Sequence, residues 1–400
     1  MKERIAITGL GVFSGAAKNI KEYSAAIIEG KSNAGEVDLF DVSCFQGKIA
    51  VQVKGYKPED YFDRPGIKKL SRADQFAVLA AREALAGQEL KKQYDPYSIG
   101  VVVGAGAAGM LQAEEWLKKN LLKEPAKPDL LRGSLPDSTS TILAKTFEIG
   151  GYQGTVTTAC SSSSTAIGLG ADLIATNKLD AVLCGGTDSL SILTFAGFNS
   201  LKVIDPKPCS PFSAGRQGIT LGEGAAFTLL EKESKALERG ATIYGYVLGY
   251  AIAGEAYHMT APEPTGEIAA SLMQKAMENA EVKPEEVGWV NAHGTGTPLN
   301  DAVESLAMKK VFGERAINVP LVSTKPITGH CLGAAGAIEA VATTLALKAG
   351  VIPQTLNFRG VDPECDLDYC HHGSRSTSTK IAMSNSFAFG GNITSLVLGR

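Results

Sequence analysis

Gly154-Thr155-Val156-Thr157-Thr158-Ala159-Cys160-Ser161-Ser162-Ser163-Ser164-Thr165-Ala166-Ile167-Gly168 passes from a β-branched run into hydroxyl residues and then into a small, apolar segment that continues to Ala175. It reads as strand, turn and buried helix, with Cys160 at the turn. At the mouth of a helix, unpaired backbone N–H groups and the positive dipole end favour a thiolate, which makes Cys160 a candidate nucleophile. The competing reading is an inert core thiol, since free cysteine is among the most buried residue types. What the rest of the chain brings to Cys160 decides between them.

Outward from this stretch, strand-like runs fall at 5–8, 99–103, 155–158, 181–184 and 225–230, with helical patterns at 74–86, 110–120, 138–147 and 162–176. After a charged helix at 231–239 the series restarts, with strands at 243–248, 287–291, 321–323, 381–384 and 395–398 and helices at 267–280, 299–311 and 331–348. Alternating strands and helices predict an α/β fold built on a largely parallel, covered sheet. The two series correspond in order, which predicts an internal duplication with halves at 1–240 and 241–400. Equivalent element ends then meet near a pseudo-twofold axis, bringing Cys160, His293, His330 and Phe389 together.

With 44% hydrophobic and 20% charged residues the chain can bury a large interior, and a net charge of −3 provides no basic field for nucleic acid. Seven cysteines, odd in number and without a C-x-x-C pair, match neither a disulfide framework nor a zinc site. The first apolar run is broken by Gly9 and Gly11 and reads as a strand, not a signal peptide. The most apolar helix carries Glu339 and Lys348, which argues against a membrane span, so a soluble, cytoplasmic protein is expected.

Two of the five histidines sit at glycine-flanked junctions in the second half: His293 within Asn291-Ala292-His293-Gly294-Thr295-Gly296-Thr297-Pro298, and His330 at the end of Lys325-Pro326-Ile327-Thr328-Gly329-His330. Each alone is as well read as a structural residue; the pair in equivalent places points to a site. His371 and His372 read as solvated loop residues. A cysteine with two histidines and a lysine suits acyl transfer through a thioester, with neutral histidines donating hydrogen bonds to a carbonyl or enolate oxygen. A zinc site leaves Lys325 unexplained, and a cysteine–histidine dyad leaves the second histidine unexplained.

Thr158-Ala159-Cys160-Ser161-Ser162, His293 to Pro298, Lys325 to His330 with Gly333-Ala334-Ala335-Gly336, and Asn385-Ser386-Phe387-Ala388-Phe389-Gly390-Gly391 together resemble a β-ketoacyl-[acyl carrier protein] synthase of type II. The resemblance spans almost the whole chain. It implies the thiolase-like fold, a duplicated five-layer α-β-α-β-α body, acting as a homodimer or as a heterodimer with a related chain-length subunit. It further implies that Cys160 takes an acyl group from an acyl carrier protein, with the backbone N–H groups of Cys160 and Phe389 as oxyanion hole. His293 and His330 then promote decarboxylation of a malonyl thioester, and Lys325 with Glu339 orients His330.

By the same resemblance Thr295 and Thr297 bind the pantetheine arm. Ala107, Phe198, Thr260 and Phe389 line or gate the acyl pocket, and Lys68, Lys69 and Arg72 contact the carrier protein. No redox cofactor is required; Asn291, Ala292, Glu339, Ser384 and Asn385 match a site for a structural Na+ or K+ ion. Ala107 stands where such enzymes usually carry isoleucine, which leads to the expectation of an elongated pocket for a conjugated or aryl-capped chain, and a weaker resemblance to aryl polyene condensing enzymes points the same way. A coenzyme A thiolase needs a second cysteine where Phe389 stands. A non-catalytic chain-length subunit normally lacks the nucleophile.

Overall fold

The computed structural model describes residues 3–63 and 65–400. Ten strands form its principal sheet: β1 (Ile5–Ser14), β2 (Ile99–Gly104), β3 (Gln153–Val156), β4 (Ala181–Asp188), β5 (Gly224–Lys232), β6 (Gly245–Gly254), β7 (Trp289–Asn291), β8 (Leu321–Val322), β9 (Ile381–Phe387) and β10 (Asn392–Gly399). The first five run in the order β3-β2-β4-β5-β1, and the second five repeat it as β8-β7-β9-β10-β6. Pairing directions repeat too. In the first set β2 is parallel to β3 and β4, and β5 is antiparallel to β4 and β1. In the second set β7 is parallel to β8 and β9, and β10 is antiparallel to β9 and β6. The two sets join where Ile5, Ala6 and Ile7 pair with Val247, Tyr246 and Gly245.

Five helices place the layers: α1 (Arg72–Ala84), α2 (Ser162–Ala175), α3 (Glu267–Asn279), α4 (Pro298–Phe312) and α5 (Ala335–Ala349). α1 covers the outer face of β1 and β5, while α3 covers β6 and β10 and packs on α4. α2 and α5, equivalent in the two halves, pack against each other in a central core that draws residues from both sets of strands. This is the five-layer α-β-α-β-α arrangement. Small residues permit the approach: a Cβ on Gly336 of α5 would lie 2.7 Å from the Ser164 nitrogen of α2. Ser163 Oγ accepts a hydrogen bond from the Ala337 N–H at 2.8 Å. The stretch Leu332–Ala349 is the one described helix long and apolar enough to cross a membrane, and 89% of it is buried inside the protein.

The expected strand at 5–8 extends to Ser14, because Gly9 and Gly11 serve close packing instead of ending the strand. A Cβ at either position would fall 2.0 Å from the Ala84 oxygen or 1.9 Å from the Ala80 oxygen of α1. The strand expected at 155–158 sits two residues earlier, as Gln153–Val156, because Thr158 and Ala159 already turn toward the helix. His371 is not a solvated loop residue: its ring stacks on Phe358 with centroids 4.4 Å apart and is half-buried.

Candidate active site

Cys160 lies in a single turn of 3-10 helix, Ala159–Ser161, that leads into α2. The preceding Ala159 has φ +48°, a left-handed conformation that costs a β-carbon-bearing residue energy and marks a tight, over-determined turn. Cys160 is buried and shares a cavity of about 310 Å3 with His293, His330, Phe389, Phe198 and Thr260. The strand ends and helix starts of the two halves therefore bring the motif residues to one place.

Contrary to the expectation from the helix mouth alone, the Cys160 thiol is pushed up to about 12, chiefly by burial. Lys325 and a hydrogen bond from the Phe389 backbone N–H act in the opposite direction, favouring the thiolate. Desolvation outweighs both, so the resting nucleophile is the thiol.

Each histidine is held in one tautomer. The Leu332 N–H donates to His330 Nδ1 at 3.1 Å, leaving the ring proton on Nε2. The Lys325 ammonium faces His293 Nδ1 at 3.3 Å and donates to the His293 carbonyl at 2.5 Å, which leaves the His293 proton on Nε2 as well. Lys325 is buried and also donates to Glu339. The lysine–glutamate pair thus orients His293, and a backbone amide orients His330; this corrects the expectation that the pair serves His330. The rings meet edge to face with centroids 5.2 Å apart. Burial, then the neighbouring Lys325, holds both imidazoles well below the ordinary histidine range, so both are neutral donors at neutral pH.

Glu304 of α4 was not singled out in the sequence, yet it fixes the His293 loop. Its carboxylate accepts from the backbone N–H groups of His293 at 2.8 Å and Gly294 at 2.6 Å, and from Asn300 at 2.9 Å. Burial raises it to about 7. The available signal was an Asn300–Glu304 spacing of i, i+4 on a helix that directly follows the histidine loop.

Thr295 and Thr297 line the same cavity with their hydroxyls 2.9 Å apart. The Phe389 ring stacks on Phe198 at 5.6 Å. The segment carrying Thr260 is tied to the glycine loop after Phe389: the Gly390 N–H donates to the Met259 carbonyl and the Glu255 N–H to the Gly391 carbonyl, both at 2.8 Å. Ala107 packs one shell farther out, against the apolar cluster of Leu190, Phe195 and Leu332 that Phe198 also joins.

Lys69 is exposed and Lys68 half-buried at the end of the short helix Pro65–Lys68. Arg72 does not belong with them. Its guanidinium is buried, donating to both carboxylate oxygens of Glu223, at 2.9 and 2.6 Å, and to the Val53 carbonyl at 2.8 Å, so it is unavailable to a docking protein.

Asn291 ends β7 and is followed by Ala292; it pairs with Ser384 in the middle of β9, next to Asn385, and α5, which carries Glu339, packs on β9. Asn291 Oδ1 and Glu339 Oε2 are buried without a hydrogen-bond partner among the described residues, and burial raises Glu339 to about 7. Orphaned hard oxygens beside a carboxylate fit an alkali cation.

Two family models match the chain: "Beta-ketoacyl synthase, N-terminal domain" over residues 2–236 and "Beta-ketoacyl synthase, C-terminal domain" over residues 244–359. A 3-oxoacyl-[acyl-carrier-protein] synthase 2 from Coxiella burnetii is 37% identical over 414 aligned residues, covering 100% of this chain and 99% of the relative. Among solved structures, the ishigamide ketosynthase/chain length factor superposes with a TM-score of 0.93 at 34% identity, covering 100% of this chain and 99% of that one. A type II polyketide synthase acyl-carrier protein in complex with its ketosynthase bound to the hexaketide gives a TM-score of 0.90 at 30% identity, with 100% and 99% covered.

Proposed function

Because this chain belongs to the β-ketoacyl synthase family, we propose that Cys160 carries the acyl chain while His293 and His330 manage the malonyl group. The reaction is a decarboxylative Claisen condensation that joins malonyl-[acyl carrier protein] to an acyl thioester and releases carbon dioxide. In the first step the Cys160 sulfur attacks the acyl carrier thioester, the carrier thiol leaves, and the Cys160 proton ends on that thiol. The exchange is proton-neutral, so a resting thiol suffices. The Phe389 N–H, directed at the sulfur, is suited to receive the developing oxyanion.

In the second step malonyl thioester breaks its carboxyl-to-methylene bond, and the electron pair passes to the thioester oxygen. Two Nε2–H donors pre-set on that oxygen stabilise the enolate without reorganisation. The enolate carbon attacks the acyl-Cys160 carbonyl, the Cys160 thiolate leaves and takes up one proton, and 3-oxoacyl-[acyl carrier protein] departs. The observation that carries this reading is the occupation of Nδ1 on both histidines, by Leu332 on one and Lys325 on the other, in the cavity that holds Cys160. Thr295 and Thr297 hydrogen-bond the pantetheine arm in this scheme, and Phe389 with Phe198 gates the acyl pocket.

The acyl carrier protein is the donor partner, and the second subunit is either another copy of this chain or a related chain of the ketosynthase/chain length factor type. This chain, which keeps Cys160 and both histidines, is a catalytic subunit that extends a fatty acyl chain or a specialised polyene or polyketide chain in the cytoplasm. Ala107 supports the longer or stiffer chain. A Na+ or K+ ion held by Asn291, Ala292, Glu339, Ser384 and Asn385 would supply a positive charge that stabilises the buried Glu339 carboxylate. Intact-mass analysis with acyl carrier proteins bearing saturated and polyenoyl chains tests the assignment. A thioester adduct on the wild type and none on Cys160→Ala is expected; failure of every acyl group to load, with both proteins alike, rejects it.

A further inference from the structure

Asp188, the last residue of β4, is a buried carboxylate to which the scheme above gives no task. Its Oδ2 accepts the N–H of Gly106 at 3.0 Å and that of Gly333 at 2.6 Å, and its Oδ1 accepts the N–H of Ala108. Gly106 and Ala108 flank Ala107, which packs on the apolar cluster that Phe198 of the cavity wall also joins. Gly333 belongs to the second half and follows Leu332, whose N–H fixes the His330 tautomer. One carboxylate therefore ties the pocket loop to the histidine segment across the two halves.

Both tied segments contain residues that would not hold their conformation alone. Ala108 has φ +43° and Leu332 has φ +49°, left-handed values that strain a residue with a β-carbon. The two loops also touch: a Cβ on Gly333 would lie 2.3 Å from the Gly106 nitrogen and 2.8 Å from Asp188 Oδ2. Only an acceptor that presents both oxygens to N–H donors satisfies all three amides at this junction; an amide side chain turns an N–H toward at least one of them.

We propose that Asp188 is a positioning residue that locks the Gly106–Ala108 loop against the Leu332–Gly333 turn, and through that turn holds the His330 Nε2–H on the malonyl site. Asp188 thereby links the shape of the acyl pocket to the decarboxylation machinery. The inference rests on the malonyl role assigned to His330 above.

The test separates the two half-reactions in the wild type, Asp188→Asn and Gly106→Ala. The last places a methyl 2.8 Å from Asp188 Oδ2 and disturbs the same contact with the carboxylate retained. Loading of a short acyl chain on Cys160 is read by intact mass, and carbon dioxide release from malonyl carrier by a coupled assay. A misplacement of His330 on the order of 1 Å predicts about a 100-fold fall in decarboxylation in Asp188→Asn, with acyl loading of the short chain retained, and a smaller fall of the same kind in Gly106→Ala. Decarboxylation at the wild-type rate in folded Asp188→Asn, or equal losses in both half-reactions, overturns the proposal. Should Asp188→Asn fail to fold, the same ratio measured in Gly106→Ala decides. A wild type that neither loads nor decarboxylates rejects the ketosynthase assignment instead, an outcome distinct from these.

Discussion

Replacing Lys325 with methionine keeps an unbranched side chain one atom shorter and removes its charge, and the consequences are separable. The variant loses the contact with His293 Nδ1, the bond to the His293 carbonyl and the pair with Glu339. Hydrogen bonds to charged groups contribute about 1.5–3 kcal/mol, so releasing the His293 tautomer lowers malonyl decarboxylation by about 10- to 100-fold. Acyl loading, which needs neither imidazole in the scheme above, falls far less. Stability changes with pH as well. Burial already raises Glu339 to about 7 from 4.5 with Lys325 beside it, and both contributions of Lys325 act to lower it. A carboxyl raised in the native state binds more protons there than in the unfolded chain, so its contribution is present below the unfolded value and is lost as pH rises through the folded one. In wild type that loss ends near pH 7. In Lys325→Met the folded value moves higher, so the loss continues as pH rises from about 7 to about 8.5. Denaturant titrations of both proteins at the two pH values, alongside the half-reaction assays, measure each consequence. Wild-type decarboxylation in the variant, or identical pH dependence of stability in the two proteins, would refute the reasoning.

His330→Ala removes one of the two enolate donors and lowers decarboxylation by about 100- to 1,000-fold, while intact mass still shows acyl-Cys160. Arg72→Ala strands the Glu223 carboxylate in the interior and costs about 3–5 kcal/mol in denaturant titration, with the KM for carrier protein unchanged. Lys69→Glu, by contrast, leaves stability in place and raises that KM more at low salt than at high salt. Ala107→Ile adds three carbons to the apolar cluster behind Phe198 and shifts product length toward shorter chains, read by mass spectrometry of carrier-bound products.

The duplication was legible because strand and helix periodicity survives where identity between halves does not, and the repeated strand order reproduces it pair by pair. Cys160, His293 and His330 were legible from glycine-flanked junctions, and their convergence followed from the symmetry. Contacts between residues far apart in sequence were not. Nothing local marks Arg72 as the partner of Glu223, because a basic residue at a helix start looks solvated until the fold closes over it. The partner of Lys325 was similarly misassigned: both histidines lie within reach in sequence terms, and only the backbone path puts His293 against the ammonium. The Cys160 thiol was misjudged because the helix mouth is visible in the sequence whereas the depth of burial is not.

The placement of β10 bears on how the molecule is made. Residues 392–399 leave the ribosome long after Cys160, yet their strand lies inside the sheet, hydrogen-bonded to β9 on one edge and β6 on the other. At a synthesis rate of about 5–20 residues per second, Cys160 emerges about 10–50 s before that strand does. Until that strand arrives β6 lacks its partner on one edge, and unpaired strand edges are the condition in which β-rich chains aggregate. Synthesis through the β10 strand, more than through any shorter length, is what turns this polypeptide into an enzyme.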